Sequence, residues 1–193
     1  MRMPWTGVLL SLVVLAACAS EEGTRPGVDL SQGNATSSSQ VRRQVDEMRF
    51  LHGQALLSRM EWLASRGDEA VPAITEGASS DDSLVRASCM WILERMGDRR
   101  NVPVVAERLT DPVAVVRYQA AGSLVKLGDP RGFRVLVEGL ADGDIKNRYK
   151  CFQALQLATG RDFGYRHDAD PEERRQAVGR WLDWLEGVQA KAL

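Results

Sequence analysis

Histidine is almost absent from this chain: His52 and His167 are the two in 193 residues. A His-based catalytic triad or an imidazole-built zinc site needs more than that pair supplies, and no Cys-x-x-Cys accompanies it. Cysteine is nearly as scarce, at Cys18, Cys89 and Cys151, which is too few for a disulfide framework. An excess of one charge is lacking too, since 25 Lys and Arg face 26 Asp and Glu for a formal net charge of -1. That balance removes the broad positive field on which polyanion binding relies, so no nucleic-acid partner is expected. What the chain does have is 44% apolar residues, enough for one modest buried core.

The N-terminus reads as an address. A positive start at Arg2 leads into the apolar run Val8-Leu9-Leu10-Ser11-Leu12-Val13-Val14-Leu15, then small residues and Cys18. The layout is that of a secretory signal and is too short to span a bilayer stably. The quartet Leu15-Ala16-Ala17-Cys18 resembles the lipobox of bacterial lipoproteins. That resemblance implies a thioether-linked lipid on Cys18, cleavage before it, and a palmitate-bearing anchor in place of a membrane-spanning helix. Ala19 stands where the lipoprotein pattern would place an inner-membrane retention aspartate, so in a Gram-negative host the resemblance implies the outer membrane, facing the periplasm. Residues 1–17 are thus expected as the signal peptide. Residues 18–40, rich in Gly, Ser, Thr and Asn, are expected as a flexible tether with a reach of about 25 Å.

Beyond the tether the sequence repeats, with a period of about 31 residues. Gly97-Asp98 recurs as Gly128-Asp129, Leu109 as Leu140, Asp111 as Asp142, Arg117-Tyr118 as Arg148-Tyr149, and Leu124 as Leu155, all at one constant offset. The same offset backwards relates Val71, Ile74, Arg86 and Leu93 to Val102, Val105, Arg117 and Leu124. Within a unit the apolar residues fall at helical spacing, Val102, Val105 and Leu109, then Val113, Val116, Ala120, Leu124 and Leu127. Each unit is therefore a helical hairpin, and since one hairpin cannot cover its own apolar stripe, neighbours must stack. Asp111-Pro112 reads as a capping aspartate before an N1 proline, and Gly97 and Gly128 as left-handed helix ends.

The Asp-Pro, Val-Arg, Ala-Ala, Leu and Gly-Asp-Pro elements of residues 111–130 resemble the short bacterial type of HEAT repeat, over residues 67–160. The implied fold is an all-α solenoid of stacked hairpins. Lys146 and Asn147 depart from the pattern at the positions of Val115 and Val116. Residues 41–66 read as one long amphipathic N-terminal capping helix, and residues 161–193 as a C-terminal cap whose last helix starts at Asp170-Pro171-Glu172-Glu173. The HEAT resemblance speaks for a fold and is nearly silent about activity.

Three sets of residues invite a chemical reading. Asp162-Phe163-Gly164 spells the magnesium tripeptide of kinases, but no glycine-rich loop or His-Arg-Asp segment precedes it. His167, Asp168 and Asp170 make an incomplete metal set, because Asp170 is needed as a helix cap. Cys89 and Cys151 lie two repeats apart, a separation of roughly 20 Å that forbids a bridge, and read as buried small residues. No cofactor or metal is called for, and no catalytic residue is assigned.

Arg86, Arg117 and Arg148 form a ladder with one arginine per unit. Pairing with turn aspartates such as Asp111 and Asp142 would make it structural. As a basic-aromatic strip, Arg117, Tyr118, Arg148 and Tyr149 would instead contact a partner. The sequence thus points to a non-catalytic, membrane-anchored module that binds a protein or peptide. The competing reading is a non-autonomous enzyme subunit, or a lyase-like relative that binds a small ligand. Palmitate labelling of the wild type and of Cys18→Ser checks the anchor, with label expected only on the wild type.

Overall fold

The structure, a computed structural model, describes residues 30–191, with side chains described over residues 38–188. Leu15, Ala16, Ala17, Cys18 and residues 19–29 of the expected tether lie outside the described residues. Among the described residues there is no strand. The helices are α1 (Leu30–Asp46), α2 (Gly53–Ser65), α3 (Val71–Gly77), α4 (Ser83–Met96), α5 (Val102–Glu107), α6 (Ala114–Lys126), α7 (Arg131–Gly139), α8 (Ile145–Thr159) and α9 (Pro171–Lys191). Helices α1 to α8 pair in order into hairpins. The second helices stack in a row, α2 on α4, α4 on α6 and α6 on α8, while α1 packs on α3 and α9 covers α7. No helix among the described residues is long and apolar enough to cross a membrane.

Two expectations at the N-terminus change. Helix α1 starts at Leu30, so residues 30–40 are helical where a tether was expected. Val41 and Val45 are buried and fix one turn of helix, after which extension toward the N-terminus is far cheaper than nucleation. Residues 41–66 are also not one helix. The chain leaves α1 through a 3-10 turn at Glu47–Phe50 and turns at Leu51 and His52 into α2. The amphipathic period continues across this break because both arms of a hairpin face the same core. The first hairpin is therefore a further repeat unit, with Leu63 buried in the slot that Leu93 fills next. The single-residue slip at Gly67 hides it in the sequence. Gly67, Gly97, Gly128 and Gly160 all end second helices with φ between 56° and 79°, a conformation that only glycine adopts cheaply.

Helices as short as α3 and α5 do not persist alone; they form because their apolar faces are covered. One cluster joins Val41, Leu63, Ile74, Leu93, Val105 and Leu124. A second joins Leu136, Leu140, Leu155, Ala177 and Trp181. Helix α6 serves both, through Ala120 and Leu124 on one side and Ala121 on the other. Burying each Leu or Ile side chain stabilises by about 1.5–3 kcal/mol. The C-terminal cap closes the stack with aromatic edges: Trp181 meets Phe163 at 4.8 Å and Trp184 at 5.6 Å, both nearly perpendicular. The Tyr165 hydroxyl donates to the Leu140 carbonyl at 2.6 Å. Asp170 caps α9 as the sequence indicates, accepting from the Glu172 and Glu173 amides.

Close approach between units depends on missing side chains. A Cβ on Gly132, in α7, would run into the Ala121 carbonyl oxygen of α6. A Cβ on Gly122, in the middle of α6, would meet nothing nearer than the Ala154 Cβ at 3.8 Å. Gly132→Ala is therefore expected to cost about 1–3 kcal/mol through overpacking, whereas Gly122→Ala should stabilise by up to about 1 kcal/mol through helix propensity. Urea unfolding of both variants reads the two signs side by side.

Candidate functional site

The arginine ladder repeats one geometry three times. Nη1 of Arg86 donates to the carbonyls of Ser80 and Asp81, that of Arg117 to Asp111 and Pro112, and that of Arg148 to Asp142 and Gly143. Each arginine thus binds two consecutive carbonyls in the turn that enters its own helix. The remaining donors of Arg86 and Arg148 reach the next unit. Arg86 grips Asp111 with Nε to Oδ2 at 2.7 Å and Nη2 to Oδ1 at 2.9 Å, and Arg148 Nε donates to the His167 carbonyl at 2.9 Å. Arg86 and Arg148 are buried, and their guanidinium groups are spent on the fold.

Asp111 consequently does a different job from the one its sequence suggests. Helix α6 begins at Ala114 behind Val113, which offers no side-chain cap. Asp111 instead accepts from the Val113 amide at 2.9 Å while holding Arg86, as Asp142 accepts from the Asp144 amide. The bond from Arg86 is the main reason the Asp111 carboxyl titrates below the ordinary carboxylate range. Asp142 is also lowered: burial works to raise it, but hydrogen bonds from the Asp144 amide, the Tyr118 hydroxyl and Asn147 outweigh that. Asn147, which replaces the buried valine of the preceding unit, is thereby accounted for, since it donates to Asp142 at 3.2 Å.

The four residues expected as a contact strip separate. Arg148 is buried, and Arg117 is half-buried with Nη1 on the turn carbonyls. Tyr118 donates to Asp142 at 2.7 Å, and burial together with that bond raises its phenol well above the usual value. Tyr149 alone is exposed, at 43%, with its ring 4.9 Å from that of His167 and its hydroxyl accepting from Gln153.

An open face does exist, on the second helices. Trp91, Gly122 and Gln153 occupy one slot in successive units, so a notch opens at Gly122 between a tryptophan and a glutamine. A cleft of about 230 Å³ lies there between α4, α6 and α8. It continues past Gly122 and Ala154 into a second of about 320 Å³ that ends at Phe133. Leu157, on the wall of both, is 80% exposed. Toward the start of α8, Ile145, Tyr149 and His167 border a further depression of about 470 Å³ that shares Lys150 and Gln153 with the first. Of the expected strip, Tyr118 lines the first cleft and Tyr149 the further depression. Sequence reasoning missed the notch itself, whose signal was a glycine inside a helical pattern, flanked in register by Trp91 and Gln153.

The remaining candidates lie elsewhere. Cys89 and Cys151 are buried and free, each against the glycine that ends the first helix of its unit, Gly77 and Gly139. Burial pushes both thiols up to about 12, so they stay protonated near neutral pH and are poor nucleophiles there. Asp162-Phe163-Gly164 is a tight loop in which Asp162 accepts from the Gly164 amide. Asp168 pairs with Arg166 at 3.5 Å, and His52 precedes α2.

Residues 71–156 match the family model described as HEAT repeats. The chain is a HEAT-repeat-containing protein, and its fold is an α-solenoid. No curated protein matches it. Among solved structures, human deoxyhypusine hydroxylase in complex with glycerol is similar at 22% identity and a TM-score of 0.43, over 73% of this chain and 53% of the other. The chain thus spans about half the length of that structure, and no activity follows from a likeness of this degree.

The Arg86–Asp111 pair is the ladder contact most fully withdrawn from water, with side-chain exposures of 10% and 2%. Asp111→Ala strands a buried guanidinium and is expected to cost about 3–5 kcal/mol. Because the folded-state pKa of Asp111 is depressed, its contribution is complete above the unfolded value of about 3.9 and is lost as pH falls through the folded value. Denaturant midpoints followed from pH 7 into the acid range should show a loss that flattens in Asp111→Ala.

Proposed function

We propose that this chain is a non-catalytic scaffold, lipid-anchored through Cys18 in the cell envelope, that binds a protein or peptide on the face formed by α4, α6 and α8. In a Gram-negative host the anchor sits in the outer membrane and the repeats face the periplasm. The observation that carries this reading is the notch at Gly122. A glycine inside a helix costs stability relative to alanine, the space beside it admits a Cβ, and the fold therefore gains nothing from keeping it empty. A recess with an apolar floor, beside the exposed Leu157 and Tyr149, is what an anchoring side chain of a partner would fill.

The anchor rests on the Leu15-Ala16-Ala17-Cys18 resemblance. Binding is preferred to turnover because the ladder arginines and the core thiols are committed to packing. The test is chemical cross-linking in isolated membranes followed by affinity capture, comparing the wild type with Tyr149→Ala/Leu157→Ser. Both substitutions are exposed and leave the ladder intact. A protein captured by the wild type should drop at least about tenfold in the double variant, with thermal unfolding unchanged. Equal capture by both would refute the assigned face.

A further inference from the structure

Acidic residues are missing from two neighbouring helices, although α7 carries Arg131 and Arg134 beside its one glutamate and α4 carries Glu94. The first helices α3, α5 and α7 each carry a glutamate in the same repeat position, Glu76, Glu107 and Glu138. Helices α6 and α8 contain no acidic residue and carry Arg117, Lys126, Lys146, Arg148 and Lys150. The near-zero net charge of the chain hides this absence. On the open face, Glu94 of α4 is neutralised by Lys126, Nζ to Oε1 at 2.9 Å, and also accepts from the Ser123 hydroxyl. Lys146 and Lys150 are exposed and have no ion-pair partner among the described residues. They stand one helical turn apart, a like-charge spacing that is unfavourable by itself and that an external anion relieves.

We infer that the face of α6 and α8 docks an acidic protein segment carrying one bulky apolar side chain, the apolar group seated in the Gly122 notch and the carboxylates against Lys146 and Lys150. This rests on the interaction reading above and assigns the chemistry of its partner. Three features favour a peptide over an anionic lipid surface. The apolar site is recessed, with Gly122 and Ala154 at its base, and a planar headgroup layer would not enter it. Gln119 and Gln153 beside the notch offer amide donors and acceptors suited to a peptide backbone. The exposed Leu157 and the lysines border connected clefts, so one extended segment meets both kinds of contact.

The experiment is selection of a displayed random dodecapeptide library on the detergent-solubilised full chain, with Gly122→Leu as counter-selector. Gly122→Leu fills the notch, and its helicity is checked by circular dichroism. Lys146→Glu/Lys150→Glu, on the exposed surface, is the second variant and does not depend on how a larger residue is accommodated. The expected result is enrichment of Asp and Glu around a Leu or Phe, binding lost in Gly122→Leu, and affinity at least about tenfold weaker in the lysine double variant and at high salt. Groove-dependent peptides without acidic enrichment would overturn this inference and leave the interaction reading standing. No groove-dependent peptide would overturn both. Phosphatidylglycerol vesicles form the third arm. Vesicle binding that falls with the lysine variant, in the absence of groove-dependent peptides, assigns the charge to lipid and also overturns the inference.

Discussion

The fold depends on one recurring interaction: a guanidinium that closes the turn inside the second, third and fourth hairpins. A turn between two packed helices leaves carbonyls that no helical amide reaches, and a partly buried carbonyl without a donor is costly. Arg86, Arg117 and Arg148 each satisfy two such carbonyls through one nitrogen. Arg86 and Arg148 also extend their other donors to the following unit, at Asp111 and at the His167 carbonyl. The same residues therefore define both the shape of a unit and its register on the next. Arg86 and Arg148 are buried by this role, while Arg117 stays half-buried.

Much of this was legible in the sequence because the repeat copies itself. The constant offset aligned the arginines, the turn aspartates and the leucines, and it placed Cys89 and Cys151 in equivalent buried slots. It failed where the copies diverge. The first hairpin was hidden by a slip of one residue at Gly67 and by an amphipathic period that runs on through the turn at Leu51 and His52. Residues 30–40 have a composition suited to a tether, yet they are drawn into α1 by Val41 and Val45 beyond them. Asp111 followed the pattern of a helix cap, but a contact to Arg86, in the preceding unit, determines what it does.

The open face was harder to see for a related reason. Arginine and tyrosine dominate binding surfaces as types, and that average pointed to Arg117, Tyr118, Arg148 and Tyr149. In this chain turn carbonyls hold the two arginines and Asp142 accepts from Tyr118, while the rings of Tyr118 and Tyr149 border the clefts of the open face. What remains accessible is defined as much by an absent side chain, at Gly122, as by a present one. An absence gains meaning only when helices on both sides are in place, with Trp91 and Gln153 standing in the same slot. The absence of acidic residues from α6 and α8 is likewise invisible to a net charge of -1.

The most direct measurement of the central claim is site-resolved photo-cross-linking in intact cells. A photoreactive amino acid is placed at Leu157, on the open face of α8, and separately at Glu107, which is exposed at the end of α5. If the ladder fixes the stack so that the second helices present the binding face, the probe at Leu157 traps a discrete protein adduct and the probe at Glu107 does not. An adduct formed at Glu107 and not at Leu157 would contradict the account.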